Sequence, residues 1–150
     1  MIRIRPLASG DLNPVLSITV ASPEASQWTR ADYEQFLRNA PSCICSVAEI
    51  DNAVAGFICF RVVSDEAEVL NLVVSPSARR RGVASRLLAD ATRISEQRGA
   101  RRMFLEVRDT NQPAILFYER HGFRLTARRR RYYSNPLADA LILARDLVSA

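Results

Sequence analysis

The strongest chemical signal in the sequence is the segment Arg79-Arg80-Arg81-Gly82-Val83-Ala84. It follows an apolar, strand-like run that ends at Pro76, and it opens a stretch with helical periodicity. The first N–H groups of a helix have no intrahelical partner, and the helix dipole favours an anion there. Gly82 allows the backbone to approach a phosphate closely, and the arginines add positive charge. The segment therefore predicts a pyrophosphate site of neither the Walker nor the Rossmann type, with a solvated basic helix start as the alternative.

The other reactive side chains are few, and they exclude several kinds of site. Cys43, Cys45 and Cys59 lie in apolar, strand-like runs without CxxC spacing, so we predict buried, reduced thiols rather than a disulfide or a metal site. His121 is the single histidine and lies in an HGF turn. A Ser-His-Asp or Cys-His mechanism would depend on that one residue. We therefore expect no metal and no histidine-based nucleophilic mechanism.

The charge is unevenly distributed along the chain. All 21 basic residues are arginine. Residues 1–75 carry five arginines against nine acidic residues, and residues 76–150 carry sixteen arginines against seven. An acidic half beside a basic half suits an enzyme that holds an anionic cofactor on one side and a cationic substrate on the other. A nucleic-acid-binding face is the alternative explanation of the basic half.

The length of 150 residues and the absence of a linker-like stretch predict one domain, 1–150. No apolar run approaches the ~20 residues that span a bilayer, and the N-terminus lacks the apolar core of a secretory signal. A cytoplasmic protein is therefore the expectation, as either a monomer or a homodimer.

Hydrophobic periodicity and turn residues predict eleven elements in the order β-α-α-β-β-β-α-β-α-β-β. We therefore predict an α/β (mixed α+β) fold, with a mixed central sheet flanked by helices. Ser9-Gly10-Asp11 and Thr29 are candidate starts of the first two helices, and Gly99 is a candidate end of the third. The predicted strands read IRIRP, CICSVAEI, AVAGFICFRVV, EAEVLNLVVSP, MFLEV, FRLTARRRRYY and ALILARDLV.

Two motifs make the chain resemble the Gcn5-related N-acetyltransferase (GNAT) superfamily. Arg79-x-x-Gly82-x-Ala84 matches the family signature of Arg or Gln, Gly, and Gly or Ala at the same strand–helix junction. LEVRDTNQPAILFYERHGF resembles the family segment L-x-V-x-x-x-N-x-x-A-x-x-x-Y-x-x-x-G-F. The predicted element order is also that of the family, so the resemblance covers essentially the whole chain. It implies a GNAT-like fold and transfer of acetyl from acetyl-CoA to a primary amine.

The resemblance also implies where acetyl-CoA binds. In the family, the strand before the loop separates from its neighbour and offers backbone groups to the pantetheine arm and the thioester carbonyl. The pyrophosphate lies on the backbone of the following loop, and an asparagine contacts the pantetheine arm. The predicted cofactor-binding residues are Leu72, Val73, Val74, Arg79, Arg80, Arg81, Gly82, Val83, Ala84, Ser85 and Asn111.

Glu106 and Tyr118 are the predicted catalytic residues. An amine is protonated at neutral pH and must lose a proton before it attacks, so Glu106 is the candidate base, acting directly or through a water. Tyr118 matches the family tyrosine near the thioester sulfur and is the candidate acid for the leaving thiolate. We expect both side chains to point into one gap. The alternatives are a Glu106 carboxylate paired with an arginine such as Arg108, and a Tyr118 ring that is a core aromatic.

Within the superfamily, the chain resembles the ribosomal-protein-alanine N-acetyltransferases of the RimI type. The matching pieces are Trp28-Thr29, EAEVLNLVVSP, LEVRDTN with Glu106 in the position of the catalytic glutamate, and RRYY at 130–133. This resemblance implies a protein or peptide N-terminus as the acceptor. Two features depart from the pattern. The segment SNPLADALIL lacks the expected acidic pair, and Ala84 replaces the more usual glycine.

Three other functions remain open at this level. A small-molecule amine such as a polyamine, an amino acid or an aminoglycoside could be the acceptor, because acidic residues such as Glu24, Asp32 and Glu34 fit any cation. A non-catalytic RNA- or ribosome-binding module would use the arginines at 128–131. These arginines lie in a predicted strand and would alternate between its faces, which argues against one basic patch. A catalytically silent acetyl-CoA-binding domain is the third, and the presence of both Glu106 and Tyr118 argues against it.

Overall fold

A computed structural model describes residues 1–134 and 137–148 of the chain. In these residues, one mixed sheet has the strand order β1-β2-β3-β4-β5-β7-β6. The strands are β1 Ile2–Pro6, β2 Cys43–Ile50, β3 Ala53–Val63, β4 Glu66–Val74, β5 Arg102–Arg108, β6 Arg124–Ser134 and β7 Leu137–Asp146. The α-helices are α1 Leu12–Val20, α2 Arg30–Arg38, α3 Val83–Gln97 and α4 Gln112–Arg120. The predicted fold class and element order are confirmed.

Local sequence signals account for many of the element ends. Thr29 begins α2 through a capping box, in which its hydroxyl accepts from Asp32 N at 3.2 Å and the Asp32 carboxylate accepts from Thr29 N at 2.8 Å. Asp51 and Asn52 both adopt positive φ, of 52° and 65°, in the turn between β2 and β3. Gly99, with φ of 90°, follows α3 as predicted. No described helix has both the length and the apolar character needed to cross a membrane.

β7 is the main departure from the predicted boundaries. It begins at Leu137 rather than at Ala140, because residues 137–139 continue the antiparallel ladder with β6. Asn135 and Pro136, which belong to the segment SNPLADALIL, lie outside the described residues.

The sheet opens between β4 and β5. These two strands pair in parallel from Glu66↔Arg102 to Val69↔Leu105, and the pairing then stops although β4 runs on to Val74 and β5 to Arg108. On the other side of β4, the register with β3 shifts so that Leu70 is an extra residue. A bulge of this kind increases local twist and bends the strand. The resemblance implied this separation, and it creates the opening on which the site is built.

Helices cover both faces of the sheet. The larger apolar cluster packs α3 and Tyr118 of α4 against one face through residues such as Leu87, Met103 and Leu105. The second cluster packs α1 and α2 against the other face. Cys43, Cys45 and Cys59 belong to this second cluster and are buried free thiols, which confirms their prediction.

Candidate active site

A cleft of ≈ 830 Å³ lies where β4 and β5 separate. It is lined by the end of β4, the loop before α3, the first turn of α3 and one side of α4. The predicted cofactor-binding residues that line it are Leu72, Val73, Val74, Arg79, Arg80, Gly82, Val83, Ala84, Ser85 and Asn111. Arg81 does not line the cleft and its side chain is exposed. The structure therefore brings together all but one of the predicted cofactor-binding residues.

The loop before α3 forms a cradle of backbone N–H groups. Arg80 and Gly82 both have positive φ, of 64° and 80°, and Gly82 caps α3 without a side chain. Arg86 N makes the bond to Gly82 O at 3.1 Å, so the N–H groups of residues 83–85 precede the intrahelical ladder. Successive N–H groups in such a turn form an anion-binding concavity. A Cβ at Gly82 would meet nothing within 4 Å, so the positive φ, and not a lack of space, favours glycine here.

Arg79 lines the cleft and also contacts residues of the protein itself. Its Nη2 lies 3.1 Å from Glu24 Oε1 and 3.3 Å from Ser22 Oγ, so it connects the α1–α2 loop to the cradle. Both charged side chains are about half exposed, at 47% and 51%. An exposed pair of this kind stabilises by at most ~1 kcal/mol. Arg79 can therefore exchange Glu24 for an incoming anion at little cost.

Asn111 is the N-cap of α4. Its Oδ1 accepts from Ala114 N at 3.3 Å. The cap uses only the oxygen of the amide, so the two N–H donors of the side chain remain for the cleft that Asn111 lines. A short helix thus fixes one amide side chain at the edge of the cleft.

Tyr118 lies on the same side of the sheet as the cradle. It lines the cleft, is 8% exposed, and packs edge-on against Phe117 and Phe123 with ring centroids 5.1 and 5.3 Å away. Burial raises the pKa of its hydroxyl above the usual value. Tyr118 is therefore both a core aromatic and a residue of the site, and its hydroxyl stays protonated at neutral pH.

Glu106 lies at the apex of the opening but on the other face of the sheet. It follows Leu105, the last β5 residue that pairs with β4. Leu105 and Val107 are buried in the cluster that contains Tyr118, so alternation along the strand directs Glu106 away from that cluster. Glu106 does not line the cleft. The expectation that Glu106 and Tyr118 point into one gap stays a prediction, with the two side chains on opposite faces of the sheet at the point where β4 and β5 separate.

Glu106 pairs with an arginine, as its alternative interpretation stated, and this arginine is Arg129. The Oε1 atom lies 3.4 Å from Arg129 Nη1, and the Glu106 side chain is 26% exposed. The Arg129 guanidinium also lies over the Tyr132 ring, 5.4 Å from its centroid. The sequence analysis did not predict this arrangement. The local signal for it is the run of arginines at 128–131, which is followed by two tyrosines.

The arginine run does not behave as a regular strand. Arg129 pairs with Ala140 and Tyr133 with Ala138, so β6 contains two more residues than β7 over this interval. Arg131 has φ of 53° within it. The alternation of faces predicted for residues 128–131 is therefore wrong. Arg128 and Arg129 are nevertheless paired with carboxylates, which lowers the positive charge available to a nucleic acid.

Comparison with known proteins gives one consistent result. The sequence profile of the acetyltransferase (GNAT) family matches residues 12–123. The chain is 31% identical over 140 residues to a candidate ribosomal protein bS18-alanine N-acetyltransferase of Bacillus subtilis (strain 168), covering 93% of this chain and 92% of that protein. It is 40% identical over 96 residues to the ribosomal protein bS18-alanine N-acetyltransferase of Salmonella typhimurium, covering 63% of this chain and 65% of that protein. The crystal structure of the ribosomal-protein-S18-alanine N-acetyltransferase from Escherichia coli matches with a TM-score of 0.87 and 29% identity, covering 100% of this chain and 96% of that one.

Proposed function

The chain belongs to the acetyltransferase (GNAT) family and is an N-acetyltransferase, and we propose that it acetylates the N-terminal α-amine of a protein of the ribosomal-protein-alanine type. The observation that carries this proposal is the opening between β4 and β5 beyond Val69 and Leu105. The cradle and Tyr118 lie on one face of the sheet there, and Glu106 lies on the other. A donor and an acceptor can therefore approach the same point from opposite faces.

The cleft fits the chemistry of acetyl-CoA, the acetyl donor of this family. The N–H groups at the start of α3 match a diphosphate, and the neighbouring Arg79 and Arg80 add positive charge. The apolar side chains at the end of β4 match an uncharged arm. In the described residues, the β5-facing edge of β4 has no strand partner beyond Val69. Its backbone groups can therefore bond the amides of the arm and orient the thioester carbonyl.

Glu106 is the proposed base on the acceptor face. The acceptor ammonium gives up one proton to the carboxylate, directly or through a water, and the neutral amine attacks the thioester carbon. The carbon–sulfur bond then breaks, and the second proton of the nitrogen leaves to solvent as the amide forms. In the structure, Arg129 occupies one oxygen of that carboxylate. The ammonium group of the acceptor would take the place of the guanidinium, because both are cations that donate to the same atom.

Tyr118 is the proposed donor to the leaving sulfur. As the thioester carbon–sulfur bond breaks, the thiolate gains negative charge on the side of the sheet where the tyrosine hydroxyl lies. Because burial raises the pKa of Tyr118, the hydroxyl is a weaker acid than a free tyrosine. We therefore assign it hydrogen-bond donation to the thiolate, with the final proton coming from solvent.

A small-molecule amine is the second candidate acceptor, and the structure gives it less support than the sequence did. Glu24 pairs with Arg79, and the Asp32 carboxylate caps α2 through Thr29 N. Two of the three acidic residues invoked for a polyamine or an aminoglycoside are thus engaged within the protein. The names of the Bacillus subtilis and Salmonella typhimurium relatives and of the Escherichia coli structure support a protein N-terminus instead.

The test is a pH–rate profile of the wild type and Glu106→Gln with an alanine-initiated peptide and with a free polyamine. We expect the peptide to be acetylated and the variant to lose about 10²- to 10⁴-fold in kcat near neutral pH. The loss should shrink by about pH 9, since an α-amine titrates near 7.7–8.0, and shrink little for a lysine-like amine that titrates near 10.4.

A matched control is Glu68→Gln, which removes a strand carboxylate that is also paired with an arginine, Arg61, but lies where β4 and β5 are still paired. It should leave kcat unchanged. Acetylation of the polyamine with no activity on the peptide would refute the protein-acceptor proposal. Equal rates for the wild type and Glu106→Gln on every acceptor would remove Glu106 as the base.

A further inference from the structure

His121 connects the two helices that border the cleft. It is the C-cap residue of α4, and its ring lies 4.4 Å from the Phe117 ring, centroid to centroid. Its Nδ1 lies 2.8 Å from Phe117 O, and its Nε2 lies 3.0 Å from Ser85 Oγ. Ser85 belongs to the first turn of α3 and lines the cleft. The histidine therefore reaches the phosphate cradle through one hydroxyl group.

The directions of these hydrogen bonds follow from their partners. A carbonyl oxygen can only accept, so Nδ1 carries a hydrogen that it donates to Phe117 O. In a neutral imidazole, Nε2 then has no hydrogen and accepts one from the Ser85 hydroxyl. The hydrogen of Ser85 is thus directed at the ring, and only oxygen lone pairs face the cradle. That orientation is unfavourable beside an anion.

Protonation of the imidazole would reverse the second bond. Nε2–H would donate to Ser85 Oγ, and the hydroxyl hydrogen would become available to a phosphate oxygen in the cleft. The anion, in turn, favours a positive charge on the nearby ring. Binding of the phosphate and uptake of the proton are then coupled in one equilibrium, in which a proton from solvent forms the Nε2–H bond and no bond between heavy atoms changes.

We propose that His121 is a positioning residue for the donor diphosphate. The ring takes up a proton when the diphosphate binds, and its Nε2–H then turns the hydroxyl hydrogen of Ser85 towards the diphosphate. This inference rests on the placement of the diphosphate at the start of α3 under the proposed function. It assigns to the single histidine of the chain a role in donor binding and not in the chemical step.

The surroundings of the imidazole are consistent with a proton that arrives only with the ligand. From β7, Arg145 donates its Nη1 to the His121 carbonyl oxygen at 2.7 Å. From α3 the contact is the Ser85 hydroxyl, and from α4 it is the carbonyl and ring of Phe117. In the described part of the chain, no carboxylate forms an ion pair with His121.

The experiment is calorimetric titration of the protein with dephospho-CoA at about pH 7.5. This ligand keeps the diphosphate and lacks the terminal phosphate monoester, which itself titrates near neutral pH. Repeating the titration in buffers of different ionisation enthalpy gives the number of protons taken up on binding. We expect a clear fraction of one proton for the wild type and none for His121→Gln, whose amide cannot take up a proton.

Affinity provides a second readout. The wild type should bind roughly three- to tenfold more tightly at about pH 6 than at about pH 8, whereas the affinity of His121→Gln should not change with pH. Ser85→Ala keeps the histidine but removes the connection, and it should lose most of the proton uptake. This variant also decides the matter if His121→Gln does not fold.

The outcomes separate this inference from the function on which it rests. Binding by the wild type without proton uptake, or uptake that persists in either variant, overturns the role of His121 and leaves the donor site intact. No binding of dephospho-CoA by the folded wild type overturns the donor site itself, and the inference with it.

Discussion

The two faces of the site are built from different materials. On the face that carries α3 and α4, the site consists of backbone N–H groups, two residues with positive φ and a buried tyrosine. On the face that carries α1 and α2, it consists of Glu106 and an arginine that neutralises it. Backbone geometry follows from residues close in the chain, whereas an ion pair depends on partners far apart. The donor side is therefore fixed by the fold, and the acceptor side by a few replaceable side chains.

The largest expected effect is on the donor side, at Gly82. Gly82→Glu should weaken the binding of acetyl-CoA about 100-fold or more, as measured by calorimetry. A side chain at φ of 80° strains the loop, and a carboxylate there repels the diphosphate. Steric exclusion contributes little, because a Cβ at this position meets nothing within 4 Å.

Gly82→Asn is the matched control. Asparagine tolerates the left-handed region and carries no charge, so its affinity should stay within several-fold of the wild type. If the glutamate variant bound as well as the asparagine variant, the diphosphate would have to lie elsewhere and the donor side would lose its defining feature.

The same contrast explains what the sequence could predict. The element order, the Thr29 and Asn111 caps, and the loop at Gly82 all follow from periodicity and local residue type. The separation of β4 from β5 was implied by the family resemblance and not by the spacing of residues. It places Glu106 and Tyr118 on opposite faces, which no local pattern expresses.

Long-range pairing was beyond sequence reasoning for a physical reason. Twenty-one arginines offer many partners to sixteen acidic residues, and only the folded sheet selects Arg129 for Glu106 and Glu24 for Arg79. The extra residues of β6 between Arg129 and Tyr133 likewise break an alternation that the sequence alone would predict. The acceptor side was therefore the less predictable half.

Tyr118→Phe tests the one side chain on the donor side that the proposal involves in chemistry. We expect kcat to fall about 10- to 100-fold, the loss of one hydrogen bond to a charged group, with acetyl-CoA affinity little changed. The ring still packs against Phe117 and Phe123, so the melting temperature should hold. Because burial raises the pKa of the hydroxyl, deprotonation of Tyr118 should produce no basic limb in the wild-type profile below about pH 10. Wild-type turnover in this variant would leave Tyr118 as a packing residue only.

The smallest effect is expected at Arg129, and it bears most directly on the acceptor side. If the guanidinium occupies the place of the acceptor cation on Glu106, Arg129→Gln should lower the KM for the amine by about two- to fivefold and leave kcat unchanged. That range corresponds to the ~0.2–1 kcal/mol of an exposed ion pair. Arg128→Gln is the matched control, because this neighbouring arginine pairs with Asp109 and Asp139 and not with Glu106.

Combining Arg129→Gln with Glu106→Gln in a double-mutant cycle tests whether the effect of Arg129 depends on the Glu106 carboxylate. Without the carboxylate, the arginine and the amine no longer compete for the same oxygen. The effect of Arg129→Gln on KM should therefore vanish in the Glu106→Gln background. A lower kcat in the single Arg129 variant would instead mean that the arginine holds Glu106 in its working position. The acceptor face would then be as rigidly organised as the donor face, and the proposed contrast between the two faces would be wrong.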